Sequence, residues 1–295
     1  MPTRRRPDTA PAARDAVFDA PLVDALIELA LAEDVGEGDR TSRALVPNTA
    51  RARGRLAAKE TLVVCGLPLL ELVFEKLGEV TVTLNVTDGH RAVAGEVLAT
   101  IEGPARPLLA GERLVLNLIQ HLSGIATRTR ACVEAVRGTR LVVRDTRKTV
   151  PGMRLLAKYA VRVGGGTNHR MALDDAILIK DNHLAFAGGD VAAAVRRARA
   201  AAPKLPLEIE CRTLDEVAAA VPARPDLILL DNMSLADITA AVRLVAKSVP
   251  LEVSGGVRPE DLPAVAATGA DFVAMGALTH SAGAADLHLK LEPIP

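Results

Sequence analysis

The chain has no tryptophan, one tyrosine and four phenylalanines among 295 residues. It has no excess of charge either: 36 basic side chains balance 36 acidic ones. A nucleic-acid surface wants surplus cation and aromatic stacking platforms, so that class of partner is not expected. Cysteine is scarce as well. Cys65, Cys132 and Cys211 are odd in number, far apart and without C-x-x-C spacing, which argues against a disulfide framework or zinc cluster and suits a reducing cytoplasm. No apolar run approaches the ~18 residues needed to cross a bilayer. The start, MPTRRRPDTAPAARDA, has basic residues with no hydrophobic region behind them, so no signal segment is expected and the protein reads as soluble and unexported. Residues 1–20 bury too little apolar surface to repay their ordering entropy and are expected to form a flexible tail.

What the chain does have is aliphatic. Apolar residues make up 49%, nearly all Ala, Val, Leu and Ile, and the length suits one large barrel or a barrel with a smaller domain. PLVDALIELALAEDVG predicts a helix with Leu22, Leu26 and Leu29 on one stripe, opened by Pro21 and ended by Gly36 and Gly38. Residues 54–103 carry short β-like runs around one apolar helix at 68–77, a small α+β domain. The DGHRAVAGEVLATIEG hairpin within it is taken as structural, because it lacks the lysine of a swinging-arm carrier.

From about residue 110 a long helix leads into strands alternating with helices: LVVRD, AILIK, LEIEC, LILLD, LEVSG and DFVAM. Near-continuous apolar runs of this kind are what parallel strands buried on both faces require. Asp190, the Thr213/Glu216 capping box, Ser234 and Pro259 mark helix starts between them. The fold class is α/β, with a TIM-like barrel that need not be complete.

Charge is concentrated in one place. From Arg147 to Leu173 there are six basic residues and no acidic one, around the triple glycine of GGGTN. A one-signed tract in a balanced protein points to an anionic ligand. Arg154, Lys158 and Arg162 lie at helical spacing and are equally compatible with an exposed helix face. Every barrel strand also ends in something polar or in glycine: Asp145 with Thr146, Arg147 and Lys148; Lys180; Glu210; Asp231; Ser254 with Gly255 and Gly256; and Met275, Gly276 and Ala277. Strand C-termini are the catalytic face of a β/α barrel.

These residue types suggest roles. Arg147 and Arg170 suit bidentate carboxylate contacts, whereas Lys148 and Lys180 suit phosphate or pyrophosphate. VSGGV and AMGAL read as a phosphate cradle at the last two turns. Glu210 and Asp231 could hold sugar hydroxyls or support a metal carried on pyrophosphate. His169, between GGGTN and Arg170, could be a ligand contact or a structural histidine.

The segments EDVGEGDRTS, GERLVLNLIQHLSGIAT, DTRKTVPGMRLLAKYAVRVGGGTNHR, ILIKDNH, EIEC, LILLDNM, EVSGG and VAMGALTHSA, in that order, resemble the quinolinate phosphoribosyltransferase family, from residue 21 to about 290. The resemblance implies an α/β sandwich over 21–125, an open β/α barrel over 126–285 and a C-terminal segment over 286–295. It implies transfer of phosphoribosyl from phosphoribosyl pyrophosphate to quinolinate, with Mg2+ held mainly through pyrophosphate, giving nicotinate mononucleotide, pyrophosphate and CO2. It also implies a homodimer, with the possibility of further assembly, whose sites are shared between subunits.

Carried over by position, Arg147, His169, Arg170 and Lys180 would hold the quinolinate carboxylates, joined by Arg113 of the neighbouring subunit. Lys148 would face pyrophosphate, Glu210 and Asp231 the ribose, and Ser254, Gly255, Gly256 and Gly276 a phosphate, with Thr146, Met275 and Ala277 beside them. Lys148, Glu210 and Asp231 are the expected catalytic residues. Three other readings stand beside this one: a Schiff-base aldolase using Lys180, a relative of different role such as the ModD proteins, and a ligand-binding barrel without turnover.

Overall fold

The structure is a computed structural model that describes residues 14–295. Most of the segment expected as tail, residues 1–13, lies outside the described residues. The rest of it differs from expectation. Ala16–Asp19 form a 3-10 turn capped by Asp15, and Phe18 is buried edge-on against Tyr159 with ring centroids 4.9 Å apart. One aromatic anchor and an Arg162–Asp15 ion pair at 2.9 Å give this stretch the contacts that composition alone did not promise.

Helix α1 (Pro21–Val35) starts at Pro21 and ends at Gly36 in a positive-φ conformation, as its sequence predicts. Its buried face differs from the expected stripe. Val23 and Ile27 enter the core, whereas Leu22 and Leu29 are 68% and 67% exposed. After α2 (Arg40–Leu45) come β1 (Arg51–Ala58), β2 (Leu62–Val63), α3 (Leu69–Glu75), β3 (Thr81–Leu84), β4 (Arg91–Ala92) and β5 (Val97–Pro104). Strands β1, β3 and β5 form an antiparallel sheet, and β2 and β4 pair as a small ribbon. The edge beyond β1 is taken by β12 (Leu287–Ile294), so residues 286–295 return to the N-terminal sheet.

Helix α4 (Ala105–Ala135) runs unbroken from this domain into the second, across the expected boundary at 125/126. There follow β6 (Val142–Arg144), α5 (Arg154–Val163), β7 (Ile177–Ile179), α6 (Asp181–Ala187), α7 (Val191–Ala201), β8 (Leu207–Cys211), α8 (Leu214–Ala220), β9 (Leu227–Asp231), α9 (Leu235–Val245), β10 (Leu251–Ser254), α10 (Leu262–Ala267), β11 (Phe272–Ala274) and α11 (Ala277–His280). Asp190, Thr213 and Ser234 cap their helices through side-chain oxygens, as expected.

The parallel sheet has the order β6-β11-β10-β9-β8-β7. Six strands with β6 and β7 as edges make an open barrel, which bears out the expected fold class. The seam between these edges is partly closed by the loop after α5. Thr167 donates its backbone N–H to Val143 at 2.9 Å and accepts from Asp145 at 3.2 Å. This strand-like clasp needs the triple glycine. A Cβ on Gly164 would stand 2.5 Å from the Thr129 Cβ, one on Gly166 would stand 2.9 Å from its Cγ2, and Gly165 has φ +94°.

Candidate active site

Two adjoining cavities open at the C-terminal ends of the barrel strands. The first, about 190 Å3, is lined by Thr146, Arg147, Lys148, His169, Arg170, Lys180, Glu210, Asp231 and Ser254, among others. The second, about 250 Å3, shares Thr146, Lys148 and Ser254 and continues over Gly255, Gly256, Met275, Gly276 and Ala277. All the expected site residues except Arg113 therefore converge. Arg113 is exposed on α4 and lines neither cavity.

The local chain explains the convergence. Beyond β6 the backbone turns at residues 145–149, and Thr279 of α11 donates its hydroxyl to the Lys148 carbonyl at 2.8 Å, pinning that turn between the cavities. The glycines are needed for close approach. Gly255 has φ +97°, and a Cβ there would lie 2.7 Å from the Asn232 backbone nitrogen. A Cβ on Gly276 would lie 2.9 Å from the Lys148 side chain. The helix contribution expected for a phosphate site is small here, because the 3-10 turn Pro259–Asp261 and α11, four residues, are too short for a strong dipole. Cations compensate. Arg128 and Arg258 line this cavity beside Lys148, with His280 next to them, and none of the three stands at a strand end where sequence points to a site.

Electrostatically the floor is divided. Among the described residues, Arg147, Lys148 and Arg170 form no ion pair, whereas Arg144, Lys158 and Lys180 each do. The Arg147 Nε is buried without a hydrogen-bond partner. Burial, and then the neighbouring Arg147, hold the Arg170 guanidinium below its usual range, so the charged pair is crowded until an anion arrives. Lys180 differs: its Nζ pairs with Glu210 at 2.7 Å. Arg212 reaches Glu210 and Asp231 at 3.5 Å each and Asp181 at 2.8 Å, tying three carboxylates to one rim cation.

Three members of the cationic tract turn away from both cavities. Lys158 is fully buried and paired with Asp145, itself fully buried, so neither is the exposed or ligand-facing group that the sequence left open. Asp145 also accepts from the Asn168 side chain at 2.6 Å and the His169 backbone at 2.9 Å, which anchors the loop carrying His169 and Arg170. Arg154 donates to the Met171 carbonyl at 3.3 Å and Arg162 pairs with Asp15. His169 has both ring nitrogens engaged. Its Nδ1 accepts the Arg170 backbone N–H at 2.7 Å, and its Nε2 lies 2.8 Å from Glu208 and 3.4 Å from Glu252.

Comparison with known proteins settles the family. The family model described as "Quinolinate phosphoribosyl transferase, C-terminal domain" matches residues 125–290, and the corresponding N-terminal domain matches residues 39–123. The chain belongs to the quinolinate phosphoribosyltransferase family. It is 46% identical over 284 residues to the nicotinate-nucleotide pyrophosphorylase [carboxylating] of Mycobacterium leprae, covering 94% of this chain and 99% of that protein. The probable enzyme of the same name from Bacillus subtilis is 40% identical, with 88% and 90% covered. The NadC structure from Streptococcus pyogenes superposes with a TM-score of 0.90 at 40% identity, covering 96% of this chain and 100% of that one. The nicotinate-nucleotide pyrophosphorylase structure from Ehrlichia chaffeensis gives 0.87 at 40%, with 91% and 98% covered.

The unpaired cations Arg147, Lys148 and Arg170 and the paired carboxylates Glu210 and Asp231 line one cavity. No helix among the described residues is long and apolar enough to cross a membrane.

Proposed function

We infer that the chain catalyses transfer of the phosphoribosyl group from phosphoribosyl pyrophosphate to the ring nitrogen of quinolinate with loss of CO2, forming nicotinate mononucleotide for NAD biosynthesis. The observation that carries this reading is the trio Arg147, Lys148 and Arg170, cavity-lining cations without carboxylate partners, beside a glycine-walled second cavity. Arg147 and Arg170 hold the two carboxylates as forked donors, with Lys180 and the His169 ring completing that wall. Ser254, Gly255, Gly256 and Gly276 take the 5′-phosphate through backbone N–H groups, beside Thr146, Met275 and Ala277.

The quinolinate nitrogen attacks the anomeric carbon as its bond to pyrophosphate breaks, and the electron pair leaves with pyrophosphate. Positive charge grows on the ribose, where Glu210 and Asp231 stabilise it, while Lys148 stabilises the departing anion. The C2–carboxylate bond then breaks, its electron pair remains on the ring beside the cationic nitrogen, and a solvent proton replaces CO2. Mg2+ belongs to this proposal as a counter-charge on pyrophosphate. A hard cation that keeps its waters and binds substrate phosphates fits a rim whose own carboxylates are already tied to Lys180 and Arg212.

Arg113 would act across a homodimer, since within one chain it lies away from both cavities. The three free, buried thiols suit a reducing cytoplasm. The Schiff-base alternative is disfavoured, because the Lys180 Nζ is engaged by the Glu210 carboxylate at 2.7 Å and is not a free nucleophile. The deciding assay supplies quinolinate and phosphoribosyl pyrophosphate with and without Mg2+ and follows CO2 and nicotinate mononucleotide. Absence of both products from folded protein would overturn the assignment.

A further inference from the structure

Beneath the first cavity lies a buried group of charges that the reaction above does not use. Side chains alternate along a strand, so Arg144, Glu208 and Glu252 share the inward face with Thr146, Glu210 and Ser254, two residues further on. Glu252 is fully buried and Glu208 nearly so. Arg144 reaches Glu252 Oε2 at 2.7 Å and stacks over Phe272 at 4.8 Å. Nothing comparable reaches Glu208. Its nearest charged-group neighbour is His169 Nε2, and one carboxylate oxygen of each glutamate is buried with no hydrogen-bond partner.

The histidine offers this pair only one ring nitrogen. Its Nδ1 accepts the Arg170 backbone N–H at 2.7 Å, so Nε2 alone faces Glu208 and Glu252. Among the described residues, Arg144 is the one guanidinium or ammonium group paired with either buried carboxylate. His169, Glu208 and Glu252 each offer a donor atom within 4.8 Å of the others, but Arg144 already provides the cation such a set would seek.

We propose that Glu208 and Glu252 hold one proton between them and act as positioning residues, setting the charge beneath the quinolinate carboxylates and so the pH range over which the diacid binds. The proposal rests on the quinolinate reading above. With the shared proton the cluster is neutral. Without it, one net negative charge stands below Arg147 and Arg170, and a dianionic ligand is repelled.

Burial, and then Glu208 beside it, push the Glu252 carboxyl up to about 7, which puts the loss of this proton near neutrality. The other charged groups facing the cluster are Arg147 and Lys148 beyond β6, Arg170 and Asp175 from the His169 loop, Lys180 just beyond β7, Glu210 on β8, Asp231 on β9 and Asp226 at the lower mouth. The proton has its own route. A third cavity of about 300 Å3 opens at the barrel seam between β6 and β7 and is lined by Arg144, His169, Arg170 and Glu208, so exchange with solvent need not pass the substrate.

The test compares wild type with Glu252→Gln and Glu208→Gln, each a permanent stand-in for the protonated acid. Quinolinate affinity is measured by calorimetry at pH 6.0 and 8.5. For wild type, affinity should fall at least about tenfold at the higher pH, the effect of a unit charge about 10 Å from one ligand carboxylate at an effective dielectric near 20. In Glu252→Gln this fall should shrink to under about threefold, while pyrophosphate binding should follow the same pH trend in both proteins.

A ligand-free arm separates this idea from the substrate assignment. A carboxyl whose folded pKa is raised contributes stability that is lost as pH rises from its unfolded value towards the folded one. Wild-type Tm should therefore drop relative to Glu252→Gln between pH 5 and 8. The double variant Glu208→Gln/Glu252→Gln should lose stability at every pH, because Arg144 is left unpaired. Equal pH dependence in wild type and both single variants, or tight Zn2+ or Mn2+ binding that abolishes the difference, would overturn the shared proton. If quinolinate fails to bind at any pH while the Tm difference persists, the substrate reading fails and the proton pair stands.

Discussion

Replacing Arg170 with alanine isolates what a crowded cation does for the ligand from what it does for the fold. In the unliganded chain this guanidinium donates to the Ala176 carbonyl at 3.0 Å and is opposed by burial and by Arg147, which outweigh the attraction of Glu208 and Asp175. Losing that hydrogen bond costs about 1 kcal/mol, and part of the loss is offset by relief of the repulsion. For a chain of this size Tm should fall by no more than about 4 °C. Quinolinate binding should suffer far more. A charge-assisted contact to a carboxylate contributes about 1.5–3 kcal/mol, so its loss weakens quinolinate by roughly 10- to 150-fold.

Phosphoribosyl pyrophosphate, held by the other cavity, should weaken by less than about threefold. Arg170→Lys keeps the charge and loses the fork, so it should fall between wild type and alanine. Titration calorimetry with each ligand separately, alongside thermal melts, gives all three quantities. Equal losses for both ligands would refute the carboxylate role, and a Tm drop well beyond 4 °C would mean that Arg170 is structural.

Much of this site was legible because a β/α barrel converts strand ends into one surface. Lys180, Glu210, Asp231 and Ser254 are each the polar residue that closes an apolar run, and each lines the first cavity. The lower charged group was written in the same strands. Glu208 and Glu252 sit two residues before Glu210 and Ser254, and period-2 alternation puts them inside, but a reading confined to strand ends passes over them. The helical spacing of Arg154, Lys158 and Arg162 could not reveal that the middle cation is buried, because its partner Asp145 lies on a different element. Nor could periodicity choose the buried stripe of α1, where Val23/Ile27 and Leu22/Leu29 are equally apolar alternatives. The direction in which the chain leaves Phe18 decides between them, and that is a tertiary fact.

Gly255→Ala forces a side chain into a positive-φ site against the Asn232 backbone, so KM for phosphoribosyl pyrophosphate should rise at least about tenfold with quinolinate affinity unchanged. Steady-state kinetics checks it, and an unchanged KM would remove Gly255 from the phosphate cradle. If sites are shared across a dimer, mixing inactive Arg113→Ala and Lys148→Ala subunits should restore part of the activity; confirmed heterodimers that stay inactive count against the shared site. Lys158→Met tests the buried pair. It leaves the Asp145 carboxylate in a dry interior, which costs about 3–5 kcal/mol and should lower Tm by many degrees. Adding Asp145→Asn removes the stranded charge and should recover part of the stability. Quinolinate binding should not recover with it, because Asp145→Asn keeps one oxygen for the His169 N–H but turns an NH2 towards the Asn168 amide that Asp145 accepts from at 2.6 Å, which loosens the loop presenting Arg170. A single variant that melts within a degree of wild type would show that this pair is not what holds the loop.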